Sequence, residues 1–474
     1  MKKIIAMRED ANGSRFLAMI IGFYLAKKFD TDFVFHWPDN LFNKVVGVKN
    51  NTFCFGEQKI IPVSVDKKED IFDSDFLNNF HINELNYDEV VSVENTELGY
   101  TQEIKKAFYD NNFYKYVEPP FWYAYSRKFK EENEDYVKEA VDIWENKIKF
   151  KQNIKDICKK AKNLAKEINR GGGFVSIHVR LGDSAYSYAV FRKYSVVSYQ
   201  PSNPHTVVEL IRSLNQPVVL FGDDISTLRE IKKFVNLDNV YLCDDIKSDL
   251  SLNNTENFLF DISLMREANA LYGTYSAVVQ LASLSSNKPF FNTHEAMRSK
   301  KHYINIKKSL SNFTSLHKDV LVCSYFQCFL LANYLNIDIV FQEELLKKAL
   351  DLDFENDKYR LYLCLYYMKY KGAKKAEYYL KEVFKTRKNE FLQNCVAKWN
   401  NNTDSVHENI SRSLRAFLYC ADKKYECINN VKNELLKHKI ISYDELSLSK
   451  KYKIYLRKML YKIPYLSRFT FKIT

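Results

Sequence analysis

The chain has 474 residues, 46% hydrophobic and 27% charged, a composition that excludes global disorder and a length that exceeds one ordinary core; roughly three units are expected. Its net charge is +12, but eight cations (Lys450, Lys451, Lys453, Arg457, Lys458, Lys462, Arg468, Lys472) and no Asp or Glu fall in residues 450–474. Subtracting those eight leaves +4 for the first 449 residues, so a broad basic face for nucleic acid is excluded.

Residues 1–37 read as strand "KKIIAM", loop "REDANGS", helix "RFLAMIIGFYLAKKF" and strand "DFVFHW". This is a βαβ opening whose loop, with Gly13, lies at the carboxyl end of the first strand, where open α/β sheets bind ligands. The apolar run "FLAMIIGFYLA" is 11 residues, short of the ~18 of a membrane span. Glu9, Asp10 and a polar loop separate it from Lys2 and Lys3, and no small-residue cleavage site follows, against a signal-peptide core.

Residues 40 to about 150 are less regular and complete an N-terminal Rossmann-like domain, 1–150. A helix "IKDICKKAKNLAKEI" then leads into the flexible run Gly171-Gly172-Gly173 and a second α/β series. Strand 174–179, helix "HTVVELIRSL", strand "PVVLFG", helix "STLREIKKFV" and strand "NVYLC" are followed by helix "FDISLMREAN", strand "ALYGT", helix "SAVVQLASL" and "KPFFN". Strands alternating with such helices predict a parallel sheet, a second Rossmann-like domain over 151–318.

From 319 to 449 only helical patterns occur. "FQEELLKKALDLDFEN" and "KYRLYLCLYYMKYKGAKKAEYYLKEVF" look like tetratricopeptide repeats, with Ala349, Gly372 and Ala376 as small packing positions. The nine cysteines contain no C-x-x-C pair and read as reduced core residues. Of the D-x-D triplets, Asp30-Thr31-Asp32 sits in a helix-to-strand turn and Asp351-Leu352-Asp353 inside the repeat, neither like a strand-end metal site; Asp73-Ser74-Asp75 is the third, and no metal is expected.

The chemistry concentrates in "FVSIHVRLGD", 174–183, where a strand runs out into His178, Arg180 and Asp183. Arginine at a strand's carboxyl end can hold a phosphate through its planar fork and neutralise a departing diphosphate. Asp183 can orient Arg180, cap the next helix or accept a proton.

"IHVRLGD" resembles the H-x-R-x-G-D motif of the fucosyltransferase superfamily with the GT-B fold, chiefly the bacterial α-1,2-fucosyltransferases and their nodulation and protein O-fucosyltransferase relatives. "NGSRFLAMIIGFYLAKKFDTDFVFHWP" is similar to the family's N-terminal loop, helix and strand, "LFGDD" to its F-S-D-D strand end, and "FDISLMREANALYGTYSAVVQLASL" to its D-L-x-L-M segment, strand and helix start. The resemblance covers residues 1–38 and about 170–292, and this chain departs from the pattern at Ser14, Leu181, Gly222, Ala277 and Val278.

It implies a donor diphosphate on Arg180, supported by His178 and Asp183, a nucleoside near Asp223 and Asp224, and phosphate hydrogen bonds from Thr274 and Ser276. Gly13, Ser14, Arg15, Asp261 and Tyr275 complete the implied donor set. Helix-end physics independently favours phosphate at Ser276. For direct displacement at the anomeric carbon, Glu9, Asp10 and Asp183 are the candidate bases.

The tail interleaves its cations with Tyr, Phe, Leu and Ile, as in a segment lying on an anionic membrane surface. The expected protein is α/β, with two Rossmann-like domains (GT-B) followed by an all-α helical repeat domain and a basic amphipathic tail, 450–474. Its expected activity is inverting, metal-independent, cofactor-free transfer from a GDP-sugar to a cell-surface polysaccharide or lipid-linked glycan. Expected partners are the nucleotide-sugar, the acceptor, a protein on the repeats and an anionic membrane, with no nucleic acid; the expected place is cytoplasmic, peripheral on the inner membrane face. The alternatives are a non-catalytic repeat scaffold with a degenerate transferase domain and a transferase of a phosphorus-containing group to capsule.

Overall fold

A computed structural model describes residues 2–8, 10–38, 65–93, 107–109, 113–119, 133–168, 172–186, 199–396, 414–420, 422 and 424–441. Glu9, Gly171 and the tail 450–474 lie outside the described residues. The chain divides into two compact units, one of Met1–Arg180 with Leu210–Ala296, the other of Leu181–Glu209 with Met297–Thr474.

The first unit is mixed α/β and holds two parallel sheets. One has the order β2-β1-β4-β3, built from β1 (Lys3–Met7), β2 (Phe33–His36), β3 (Val90–Ser92) and β4 (Tyr116–Glu118). The other has the order β7-β6-β5-β8-β9, from β5 (Val175–Val179), β6 (Val218–Gly222), β7 (Val240–Leu242), β8 (Ala270–Gly273) and β9 (Phe290–Asn292). All five residues of β5 are buried, as befits a central parallel strand covered on both faces. Each predicted strand of this series is present.

The apolar run of residues 16–26 lies in helix α1 (Asn12–Lys28), buried almost all round and packed on the first sheet. Gly22 permits that packing, because a Cβ there would lie 2.5 Å from the Phe33 ring. The helix begins at Asn12, three residues before the predicted start. Helix α2 (Gln152–Ile168) buries Ile154, Ile157, Ala161 and Ala165, a single stripe at helical spacing, and packs on α4 (Asn254–Met265). Between these lies α3 (Ile225–Val235), following β6. Helix α5 (Ala277–Ser286) packs on both α1 and α4.

One core therefore runs through both sheets' surroundings. Phe16 of α1 meets Trp37, Phe72, Trp144 and Phe150, and its ring lies parallel to that of Phe258 of α4 at 6.1 Å between centroids.

The glycine run has a conformational role. Gly172 and Gly173 have φ of 107° and 96°, in the left-handed region, and the Asn269 amide donates to the Gly172 carbonyl at 3.1 Å. These glycines turn the chain into the amino end of β5, about 20 Å of extended strand away from Arg180.

The second unit is helical. Beyond the helices Gly182–Tyr186 and Lys300–Asn312 and the part of helix Pro204–Ser213 up to Glu209, it contains α6 (Lys318–Leu335), α7 (Ile339–Leu352), α8 (Asp357–Tyr370), α9 (Ala373–Val396) and α10 (Glu426–Lys437). Consecutive helices pack from α6 through α9, and α10 packs on α9. Every residue of α8 is buried. Its buried Asp357 is compensated by Arg360 at 2.9 Å, Arg387 at 3.3 Å and the Asn394 amide at 2.8 Å. Ala349 and Ala376 are buried packing positions, whereas Gly372 has open space and φ of 88°, so its requirement is the turn.

Glu377 of α9 reaches the first turn of α10, where its carboxylate accepts the backbone N–H groups of Cys427 at 3.1 Å and Ile428 at 3.0 Å. A buried carboxylate thus satisfies two orphan donors of a helix N-terminus and complements its dipole. Glu377→Ala is expected to destabilise this unit by about 2 kcal/mol, read by urea unfolding, with Glu377→Gln losing less. An unchanged midpoint in the alanine variant would remove this cap from the account.

Among the described residues Cys158 is half-buried and the other seven cysteines are buried, all unpaired as thiols. No helix among these residues is long and apolar enough to cross a membrane.

Candidate active site

In the second sheet the chain steps from β5 outward to β6 and β7, then returns to the other side of β5 as β8 and β9. The order reverses between β5 and β8, the point at which an open α/β sheet leaves a crevice at its strands' carboxyl ends. His178 and Arg180 stand at that end of β5, and β8 ends in Gly273 and Thr274. The register fixes these neighbours, pairing His178 with Phe221 on one side and with Gly273 on the other.

The strands are drawn together here. A Cβ at Gly222 would lie 2.4 Å from the Val179 carbonyl oxygen, and one at Gly273 would lie 3.2 Å from that of His178. This explains locally why glycine occupies position 222, where the resembling family carries serine. Asp223 follows directly at the end of β6 and is half-buried.

His178 is 6% exposed, and its Nδ1 has no hydrogen-bond partner. Burial, helped by the nearby Arg180 charge, pushes the imidazole down to about 3. The ring is therefore neutral at physiological pH, with a nitrogen able to donate or accept according to its tautomer.

The β1–α1 connection reaches the start of α5, which follows β8. The first sheet reverses between β1 and β4, and the loop after β1 carries Arg8 and Asp10. Arg8 holds the Asp10 carboxylate with both Nε and a terminal nitrogen, at 3.2 and 2.9 Å. Gly13 lies in the first turn of α1, where a Cβ would come 2.9 Å from the Ala277 Cβ and 3.3 Å from the Val278 nitrogen. Two helix N-termini meet at that contact. A large side chain at 277, where the resembling family carries tryptophan, would not fit beside α1 in this arrangement.

The N-terminus of α4 joins them. The Asn12 amide donates to Thr255 Oγ1 at 3.3 Å, the Asp66 carboxylate accepts the Thr255 backbone N–H at 2.8 Å, and the buried Asn12 Oδ1 has no partner. Ser14 is buried beside them. Arg15 is also buried, donating to the Asp10 and Pro38 carbonyls at 2.7 Å each while its guanidinium lies 4.8 Å from the centre of the Trp37 ring.

The remaining sequence-derived positions have these places. Asp224 caps α3, accepting Thr227's backbone N–H at 3.0 Å and its hydroxyl at 2.7 Å. Asp261 lies within α4 and pairs with buried Lys247 at 2.6 Å, with the Cys243 thiol at 3.1 Å. Thr274 is fully buried, Ser276 caps α5 through the Val278 N–H, and Tyr275 donates to Glu295 at 3.1 Å. Asp183 stands in the first turn of the short helix Gly182–Tyr186 of the second unit. Asn12, Thr255 and Asp66 were not singled out from sequence; the pattern Asn253-x-x-Glu256, a capping box in the structure, is the signal that marks the start of α4. Among the described residues no group of three or more His, Cys, Asp or Glu could hold a metal ion.

No family model matches this chain, and no curated protein matches it. Among solved structures the chain is similar to a NodZ α-1,6-fucosyltransferase co-crystallised with GDP, with 15% identity over 59% of this chain and 91% of that one and a TM-score of 0.35. Fucosyltransferase NodZ from Bradyrhizobium matches with 15% identity over 59% of this chain and 92% of that one, TM-score 0.34. POFUT1 in complex with GDP matches with 10% identity over 61% of this chain and 98% of that one, TM-score 0.28.

Proposed function

We propose that the first unit is a GT-B type glycosyltransferase that transfers a sugar from a GDP-sugar to a cell-surface polysaccharide or lipid-linked glycan. The observation that carries this reading is the buried, unpartnered Nδ1 of His178 beside Arg180 at the reversal point of a parallel sheet. A neutral hydrogen-bonding group and a cation placed together suit a diphosphate.

In the proposed reaction an acceptor hydroxyl attacks the anomeric carbon, its proton passes to a carboxylate and the carbon–oxygen bond to GDP breaks with inversion. Arg180 takes the charge that develops on the departing diphosphate. His178 holds a phosphate oxygen or sugar hydroxyl, and Thr274, Ser276 and the first turn of α5 supply further donors. Asp10, held by Arg8, is a candidate base, with Glu9 and Asp183 as the others. Asp223 is assigned to the nucleoside, and the helices of the second unit are read as tetratricopeptide-like and as the surface for a protein partner.

A thermal-shift panel with GDP, UDP, CMP and ADP, on wild type and Arg180→Ala, tests the donor. Ligand at 100 times its dissociation constant stabilises by about 2.7 kcal/mol, so GDP should raise the melting temperature of wild type alone. A response to a different nucleotide would discard GDP. No response to any would favour the non-catalytic scaffold.

A further inference from the structure

We propose that the second unit carries a surface that docks on an anionic lipid bilayer, built on the helix Lys300–Asn312 and the adjoining ends of α6 and α7. The stretch from Met297 to His317 holds five Lys or Arg (Arg298, Lys300, Lys301, Lys307, Lys308) and no Asp or Glu. The helix buries Tyr303, Ile306, Ser309 and Leu310, which turns Lys301, Ile304 and Lys308 outward at successive helical turns.

Two contacts join the neighbouring helix ends to this face. The Arg298 guanidinium lies 4.6 Å from the centre of the Tyr334 ring near the end of α6, and Lys307 Nζ lies 4.1 Å from that of Phe341 at the start of α7. The patch so formed exposes Ile304 by 51%, Tyr334 by 60% and Val340 by 69%. Apolar side chains this open, with Lys300, Lys301 and Lys308 on the same helix as Ile304 and Arg298 against Tyr334, are more than scattered surface hydrophobics.

The acids near the patch are Asp338, Glu209, Glu343 and Glu344. Asp338 is held by Lys307 and the Tyr303 hydroxyl, and Glu209 by His302 and Asn305. Glu343 pairs with Lys347, while Glu344 is exposed one turn beyond Val340 and is followed by exposed Lys347 and Lys348. Exposed Arg298, Lys300, Lys301 and Lys308 outnumber exposed Glu344 and Glu295, the latter accepting from the Tyr275 hydroxyl, so these residues carry net positive charge. A phosphate polymer would engage the cations and leave Ile304 and Val340 in water, whereas a bilayer takes both, with cations at the headgroups and apolar tips below them.

The test is co-sedimentation of the full chain with phosphatidylcholine–phosphatidylserine vesicles and with pure phosphatidylcholine vesicles. Wild type should bind the anionic vesicles selectively, and less as salt rises. Lys300→Glu/Lys301→Glu/Lys308→Glu should weaken binding at least about tenfold. Ile304→Ser/Val340→Ser should weaken vesicle binding on the order of tenfold while leaving binding to heparin beads unchanged. The basic tail stays intact in every variant, and unchanged circular-dichroism melting curves show that each remains folded. Undiminished vesicle binding by the charge-reversed variant overturns the proposal and assigns binding elsewhere in the chain. Vesicle binding insensitive to the serine pair also overturns it, leaving a polyanion surface.

Discussion

Arg180→Ala should lower kcat/KM for transfer from a GDP-sugar by about 10²–10³-fold, the range expected on deleting one preorganised group that stabilises developing negative charge. That corresponds to about 3–4 kcal/mol of transition-state stabilisation. The magnitude follows from where the chain puts the residue. Five buried residues of β5 carry it to the carboxyl end of the central strand, with β6 and β8 bonded on either side. Its charge adds to the burial that depresses the imidazole of His178. Lysine would restore the charge without the planar fork, so Arg180→Lys should recover only part of the loss. The measurement is a steady-state comparison of both variants with wild type on the nucleotide-sugar selected by thermal shift. Equal kcat/KM for alanine and wild type would remove Arg180 from the chemistry and the proposed diphosphate grip with it.

The second sheet was legible because its physics is local. Short β-branched runs alternate with amphipathic helices, and β5, β6, β7, β8 and β9 lie where those runs lie. The start of α1 was harder to place, since Ala-Asn-Gly-Ser reads as a turn by propensity. A tertiary contact decides it: Gly13 lets the first turn of α1 touch Ala277 of α5, a partner more than 260 residues away. The glycine run lies next to the strand that carries His178 and Arg180 but belongs to that strand's other end, because Gly172 and Gly173 serve the turn into β5. At Asp224 the geometry shows a carboxylate engaged by Thr227, a cap readable from its position before "ISTLREIKKFV". Asn12, Thr255 and Asp66 come from three separate segments, and no local pattern announces that folding brings them together.

Acid should destabilise both units through depressed histidines: His205 in the second, and in the first His178 together with half-buried His81, which burial pushes down to about 4. His178 in the first unit and His205 in the second are both held down to about 3 from 6.5, chiefly by burial. His205 is fully buried, bonded through Nδ1 to the Ser309 hydroxyl at 2.8 Å, with the Phe313 ring against it. Between pH 6.5 and about 3 the unfolded chain binds a proton at each site that the folded unit refuses, so the unfolded state gains as pH falls. The stabilisation is fully present above pH 6.5 and is lost at about 1.4 kcal/mol per pH unit per histidine, roughly 2 kcal/mol each from His178 and His205 by pH 5, with a smaller, solvent-screened further loss from His81 in the first unit. Urea unfolding at pH 7, 6 and 5 measures it. His205→Asn should flatten the pH dependence of the helical unit and leave that of the α/β unit intact, whereas His178→Asn should reduce that of the α/β unit and His81→Asn/His178→Asn should flatten it. A steep acid loss surviving in the helical unit of His205→Asn and in the α/β unit of His81→Asn/His178→Asn would show that other groups govern the acid limit. GDP at the proposed site would act on His178 in the opposite sense: a nearby diphosphate favours the imidazolium, so saturating GDP should make the α/β unit less acid-sensitive while the helical unit, responding through His205, stays as it was.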